Sequence, residues 1–178
     1  GRLADIRLIT SLEAIDDNVD TIKKAAYKYN IPYEIIGSVI FKEQYTQSIP
    51  DGIIGYGTVI DNAYPNLKNK ISFIPYSNKI LKDHSVGLGA VFSDTARIAW
   101  EYCIGKDNAD KYLPKDDFVL MTALKNNDEF NIETIAVVLK YKAHLCGYDD
   151  LSSLSYNDWQ KVCAMYNGSG EMAERYGK

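Results

Sequence analysis

The chain has 178 residues, a length that suits one domain with a core of its own. Hydrophobic residues make up 46%, charged residues 25%, and the net charge is −4. That is an ordinary globular balance, without the basic footprint of a nucleic-acid binder or an electrostatic reason to hold an anionic membrane. No run approaches the ~18 continuous apolar residues of a membrane span. Cys103, Cys146 and Cys163 lack CxxC spacing and indicate neither a zinc site nor a disulfide framework. All three fall in helical apolar patterns and read as core thiols, with one disulfide left open. No secretory leader pattern is present, and "GRLADIRL" reads as the start of a domain cut from a longer protein.

Residues 11–30 read as one amphipathic helix. Ser11 can cap it, and Leu12, Ile15, Val19, Ile22, Ala26 and Tyr29 form the apolar stripe. Asn30 and Pro32 interrupt it, and Pro32 suits the first turn of a second helix. Pro50-Asp51-Gly52 must end that second helix. Within it Ile36, Val39 and Ile40 follow helical spacing, and the next position on the stripe is Glu43. A charge there is costly unless paired or neutralised. Glu43 is therefore either a surface residue at a frayed helix end or a carboxyl placed for use.

Residues 50–92 carry Gly52, Gly55, Gly57, Pro65, Pro75, Gly87 and Gly89, with short β-prone runs at "TVI" and "ISFI". This predicts long loops with a small hairpin, a stretch long enough to point to function. Helices resume with one capped by Ser93 or Asp94 that runs to Gly105, and another near 115–126. Asn131 can cap "IETIAVVLKYKAHLC", which is apolar nearly all round and closed by Gly147. It should be the central buried helix. Ser155 caps a last helix bearing Trp159, Val162, Cys163 and Tyr166, which ends at Gly168. The expected architecture is mainly α: a single domain over 1–178, with its core at about 11–170 and a Gly-rich irregular middle.

Four stretches stand out together: "FKEQ" with Glu43, "SVGLGAVFSDTA" at 85–96, "NIETIAVVL" at 131–139 and "AMYNGSG" at 164–170. Their order and spacing resemble the lytic transglycosylase and goose-type lysozyme superfamily, lysozyme-like enzymes that cut the glycan of bacterial peptidoglycan. That family pattern runs Glu-Ser, then Gly-Leu-Met-Gln with Thr-Ala, then Asn-Ile with Tyr-Leu, then Ala-Tyr-Asn-Ala-Gly. Here Gly87, Leu88, Thr95 and Ala96 match the second motif; Asn131, Ile132 and Leu139 match the third; Ala164, Tyr166, Asn167 and Gly168 match the fourth. The departures are Gln44 for Ser, Gly89-Ala90 for Met-Gln, and Val138 for Tyr.

The resemblance implies a lysozyme-like fold and cleavage of the MurNAc–GlcNAc β-1,4 bond, with Glu43 as the catalytic acid. It implies that the Tyr166 hydroxyl orients that carboxyl, and that Ser85, Gly87, Leu88, Asn131 and Asn167 face the glycan. It implies no cofactor and no metal. The substrate implies a secreted or cell-wall location, and a toxin setting would bring an immunity or inhibitor protein as partner. Physically, an acid on an apolar stripe has its charged form disfavoured and its pKa raised, as a general acid near neutral pH requires.

A hydrolase of the inverting kind also needs a base ~6.5–9.5 Å away. Asp51 and Asp61 are the candidates, while Asp94 reads better as a cap. A lytic transglycosylase needs no such partner. His84 reads as a loop bystander and His144 as a packed side chain. Three alternatives to the transglycosylase reading stand: a hydrolytic muramidase, a non-catalytic glycan- or protein-binding module on the same fold, and a helical interaction domain with no sugar chemistry, for which the motifs would be coincidence.

Overall fold

The computed structural model describes residues 2–46 and 87–166. They are mainly α-helical: α1 Arg2–Asp16, α2 Val19–Tyr29, α3 Tyr33–Thr46, α4 Ser93–Ile104, α5 Lys106–Tyr112, α6 Asp117–Asn126, α7 Asp128–Leu145 and α8 Tyr156–Tyr166. A short 3-10 turn, Leu151–Ser153, precedes α8. The β-prone runs "TVI" and "ISFI" lie outside the described residues.

The centre is α7, which packs against α2, α3, α4, α6 and α8. Its run Ile132, Ile135, Ala136, Val137, Val138 and Leu139 is at most 1% exposed. A helix apolar all round can only be stable inside such a ring of neighbours. Ile36 and Ile40 from α3, with Leu120 and Leu124 from α6, complete the layer around it. Trp100 of α4 stacks near Tyr112 and Phe130, and its indole N–H donates to Thr134 Oγ1 at 3.1 Å. At the surface edge, the Tyr29 hydroxyl and Lys28 both bond Glu133 of α7, which fixes α2 against the hub. Asp116 caps α6 by accepting from the Val119 N–H, and the Arg97 guanidinium latches α4 to Asp117 and to the carbonyls of Pro114 and Lys115.

Several boundaries differ from the sequence expectation. The helix expected over 11–30 is two helices, broken at Asp17–Asn18, and the first begins nine residues earlier. Ser11 caps nothing; it is buried inside α1, where its hydroxyl donates to the Arg7 carbonyl. Leu12 and Val19, placed on the buried stripe by spacing, are exposed. The cap of α4 falls on Phe92, one residue before Ser93. The cap of α7 falls on Asn127, whose side chain accepts from the Phe130 N–H, which leaves Asn131 inside the helix. The short α5 has no counterpart in the sequence reading. His144 is exposed rather than packed: its ring stacks on Tyr102 and its Nδ1 lies 2.6 Å from Asp149 Oδ1. The three cysteines are free thiols, each partly buried and pushed above the ordinary thiol pKa by that burial.

The last helix starts as expected. Ser155 Oγ accepts from the Asp158 N–H while Asp158 accepts back from the Ser155 N–H, a reciprocal capping box. The Ser155 hydroxyl and N–H and the Tyr148 hydroxyl hold the Asp158 carboxyl down to about 2. Asn30 ends α2 in left-handed geometry, φ 55°, with its N–H on the Ala26 and Tyr27 carbonyls.

These placements set a contrast. Leu139→Ala, at a site with no exposure, should cost about 2–5 kcal/mol in urea unfolding. His144→Ala, which removes an exposed pair with Asp149, should cost no more than about 1 kcal/mol.

Candidate functional site

Glu43 sits in the last turn of α3, half-buried. Three of the four sequence stretches meet beside it around one tight turn, Gly87–Ala90. The turn is closed by the Ala90 N–H on the Gly87 carbonyl at 3.2 Å. Side chains from three helices grip it. From α3, Gln44 Nε2 donates to the Leu88 carbonyl at 3.1 Å. From α7, Asn131 Oδ1 accepts the Gly89 N–H at 3.0 Å. From α8, the Tyr166 hydroxyl donates to the Gly89 carbonyl at 2.7 Å. Positions 43–44, 87–90, 131 and 166, far apart in the chain, are thus one cluster.

Sterics explain the glycines. Gly87 has φ +79°, and a Cβ there would lie 2.1 Å from Asn131 Nδ2 and 2.5 Å from the Leu124 carbonyl oxygen. A Cβ on Gly89 would lie 2.3 Å from Ile135 Cγ1 and 2.8 Å from the Tyr166 hydroxyl. The backbone approaches the helices so closely that only glycine fits at either place.

The electrostatics follow from burial. Desolvation raises the Glu43 pKa above the ordinary glutamate value, with the Lys42 charge working the other way. Tyr166 is pushed well above the usual tyrosine range, first by burial and then by the charge of Glu43. The phenol and the carboxyl are therefore electrostatic neighbours, and the phenol stays protonated.

Some expected roles change. Asn131 has no exposure, and its amide joins the Gly89 N–H to the Leu124 carbonyl at 3.0 Å. It braces the turn from inside and offers no face to a ligand. Gly87 is packed against that same amide, and the Leu88 side chain leans on the core. The Tyr166 hydroxyl donates its hydrogen bond to the Gly89 carbonyl rather than to Glu43. Asp94 is exposed in the first turn of α4 and caps nothing. Ser85, Asn167, Asp51, Asp61 and His84 lie outside the described residues.

The sequence reading missed the part played by Gln44 and Gly89. Both were visible only as departures from a pattern. Gln44 is a longer amide that reaches across to the turn, and Gly89 is the one size that lets Ile135 and Tyr166 close over it. Among the described residues, no group of His, Cys, Asp and Glu is arranged to hold a metal ion, and no helix is long and apolar enough to cross a membrane. Compared with protein-family models, with curated proteins and with solved structures, the chain matches none.

Two predictions test this geometry. Gly89→Ala should destabilise by at least about 1 kcal/mol, because Ile135 and the Tyr166 hydroxyl must both shift. Gly37→Ala, mid-helix in α3 with nothing within 4 Å of the new Cβ, should stabilise by about 0.5–1 kcal/mol. Chemical denaturation of the two variants reads both signs.

The second concerns Glu43. The folded state holds its proton over a pH range where the unfolded chain has already released it. Its contribution to stability is therefore full below the ordinary glutamate pKa and is lost as pH rises through the raised folded value. Carboxyl-detected NMR should place its midpoint above the ordinary glutamate value, and Glu43→Gln should flatten the stability–pH curve in that window.

Proposed function

We propose that this protein cleaves the MurNAc–GlcNAc β-1,4 bond of peptidoglycan as a lytic transglycosylase, with Glu43 as acid and then base on a lysozyme-like fold. The observation that carries the reading is the half-buried Glu43 carboxyl, its pKa raised by desolvation, beside a turn assembled from the other motif stretches. A glycosidic oxygen must be protonated as it leaves, and a carboxyl kept neutral by its surroundings can do that near neutral pH. The resulting carboxylate then takes the proton of the muramoyl 6-hydroxyl, whose oxygen closes onto C1 to form a 1,6-anhydro ring. One residue serves both steps, so no second carboxylate is required.

In this reading the Gly87–Ala90 turn walls the cleft, and Gln44 and Tyr166 keep its carbonyls fixed. Tyr166 acts on Glu43 through position: its ring and the turn it holds exclude water from one side of the carboxyl. The substrate places the protein outside the cytoplasmic membrane, in the wall or secreted, and an immunity or inhibitor protein would bind over the same cleft. A binding-only module is the second reading. It is favoured by Gly89-Ala90, which stand where the related enzymes carry a Met-Gln amide.

Glu43→Gln keeps the size of the side chain and removes its acid. Cleavage of purified peptidoglycan should fall by at least about a hundredfold with folding intact. In the wild type, kcat/KM should decline as pH rises above the raised Glu43 pKa, since only the protonated form can donate. Mass spectrometry should find muropeptides ending in 1,6-anhydro-muramoyl units, one water lighter than hydrolytic products. Reducing ends instead would assign a muramidase that uses a base such as Asp51 or Asp61. No cleavage by the wild type would leave the binding module.

A further inference from the structure

The end of α2, the start of α3 and the 3-10 turn border an open surface hollow of about 460 Å³ that the cleavage reading does not use. This lies within the roughly 300–1,000 Å³ of small-molecule sites. Its floor is Ala26 and Ile31, both buried. Its walls are two tyrosines with unusual exposure. Tyr27 is 93% exposed, so its ring packs on almost nothing, and Tyr33 is 52% exposed. The left-handed Asn30 between them folds the chain back so that both residues line one space. The Asn30 side-chain amide is exposed and, among the described residues, has no protein partner.

We propose that this hollow is a second saccharide site, which seats one sugar ring of a glycan strand against Tyr27 and Tyr33 with the Asn30 amide on its hydroxyls. A pyranose has an apolar C–H face and a polar rim. An aromatic wall beside a free amide matches both, because tyrosine offers an apolar body together with a polar tip. The charge of the hollow fits a neutral ligand: its one charged residue, Lys23, lies over the Tyr33 ring at 5.9 Å from the centroid. A phosphate or carboxylate ligand would call for a cluster of cationic donors instead.

The glycan as ligand class rests on the proposed cleavage of peptidoglycan. Tyr33 and Glu43 lie ten residues apart on α3, about 15 Å along its axis and roughly 80° around it. A strand held at the hollow therefore stays tethered near the cleft while shorter fragments leave. Such tethering lowers the apparent KM for polymeric glycan without changing the chemical step.

The test is an amide-resolved NMR titration of the full chain with the β-1,4 tetramer of N-acetylglucosamine, in the wild type and in Glu43→Gln. Saturable shifts at Tyr27, Asn30, Tyr33 and Ser152 are expected in both. Tyr27→Ala should weaken that binding by about tenfold, while Tyr27→Phe, which keeps the ring, should stay within about twofold of wild type. Tyr27 packs on so little that neither change should disturb folding.

Tetramer shifts confined to residues around Glu43, no shifts at all, or unweakened binding by Tyr27→Ala would each overturn the proposal. A proline-rich peptide that moves these amides when the tetramer does not would make the hollow a peptide groove. The two readings fail separately. A hollow that binds the tetramer in a chain that never cuts peptidoglycan removes only the enzyme, and a chain that cuts with a silent hollow removes only this site.

Discussion

One primary amide holds the site together. Asn131 lies inside α7 with no exposure, and both ends of its amide are used: the oxygen takes the Gly89 N–H and the nitrogen reaches the Leu124 carbonyl. A buried amide is costly when left unpaired and specific when satisfied. Here it fixes the Gly87–Ala90 turn against the most buried helix of the fold. The turn in turn presents the Leu88 carbonyl to Gln44 and the Gly89 carbonyl to Tyr166. The end of α3, and Glu43 with it, is thereby referenced to the core.

Rigidity of this kind suits acid–base chemistry, because a raised pKa depends on water staying excluded from a carboxyl. Among the described residues, those gathered beside Glu43 stand on helices and on one four-residue turn, Gly87–Ala90. Packing is close enough that the methyl group of alanine would not fit at Gly87 or Gly89. The same closeness accounts for the shift of Tyr166, whose phenol is desolvated with the Glu43 charge nearby.

Residue pattern revealed the hub and the cluster better than the edges. The continuous apolar run at 135–139 could only be a buried helix, and it is the centre of the fold. Glu43 on an apolar stripe signalled a desolvated carboxyl, and its burial has that effect. The caps misled because Asn, Ser and Asp suit several positions. Asn127 and Asn131 both precede the apolar run, and local chemistry does not say which lies inside. Ser11 is a similar case, since a serine hydroxyl can bond back to the preceding turn as readily as it can cap. His144 departs from the packed position its helix suggests because α7 is buried along its middle, and its last turn emerges into solvent. The tie from Gln44 to Leu88 spans 44 positions and leaves no local trace in the sequence.

The hub comes late in the chain. Lys28 and Tyr29 find their partner Glu133 more than a hundred positions downstream. During synthesis at about 5–20 residues per second, α2 and α3 therefore wait several seconds for α7, their partner in the core. Such a chain closes long loops before its best contacts form, an entropic cost that local helix pairs avoid. The two early helices that pack on the hub, α2 and α3, thus reach their final packing only when α7 slots into place.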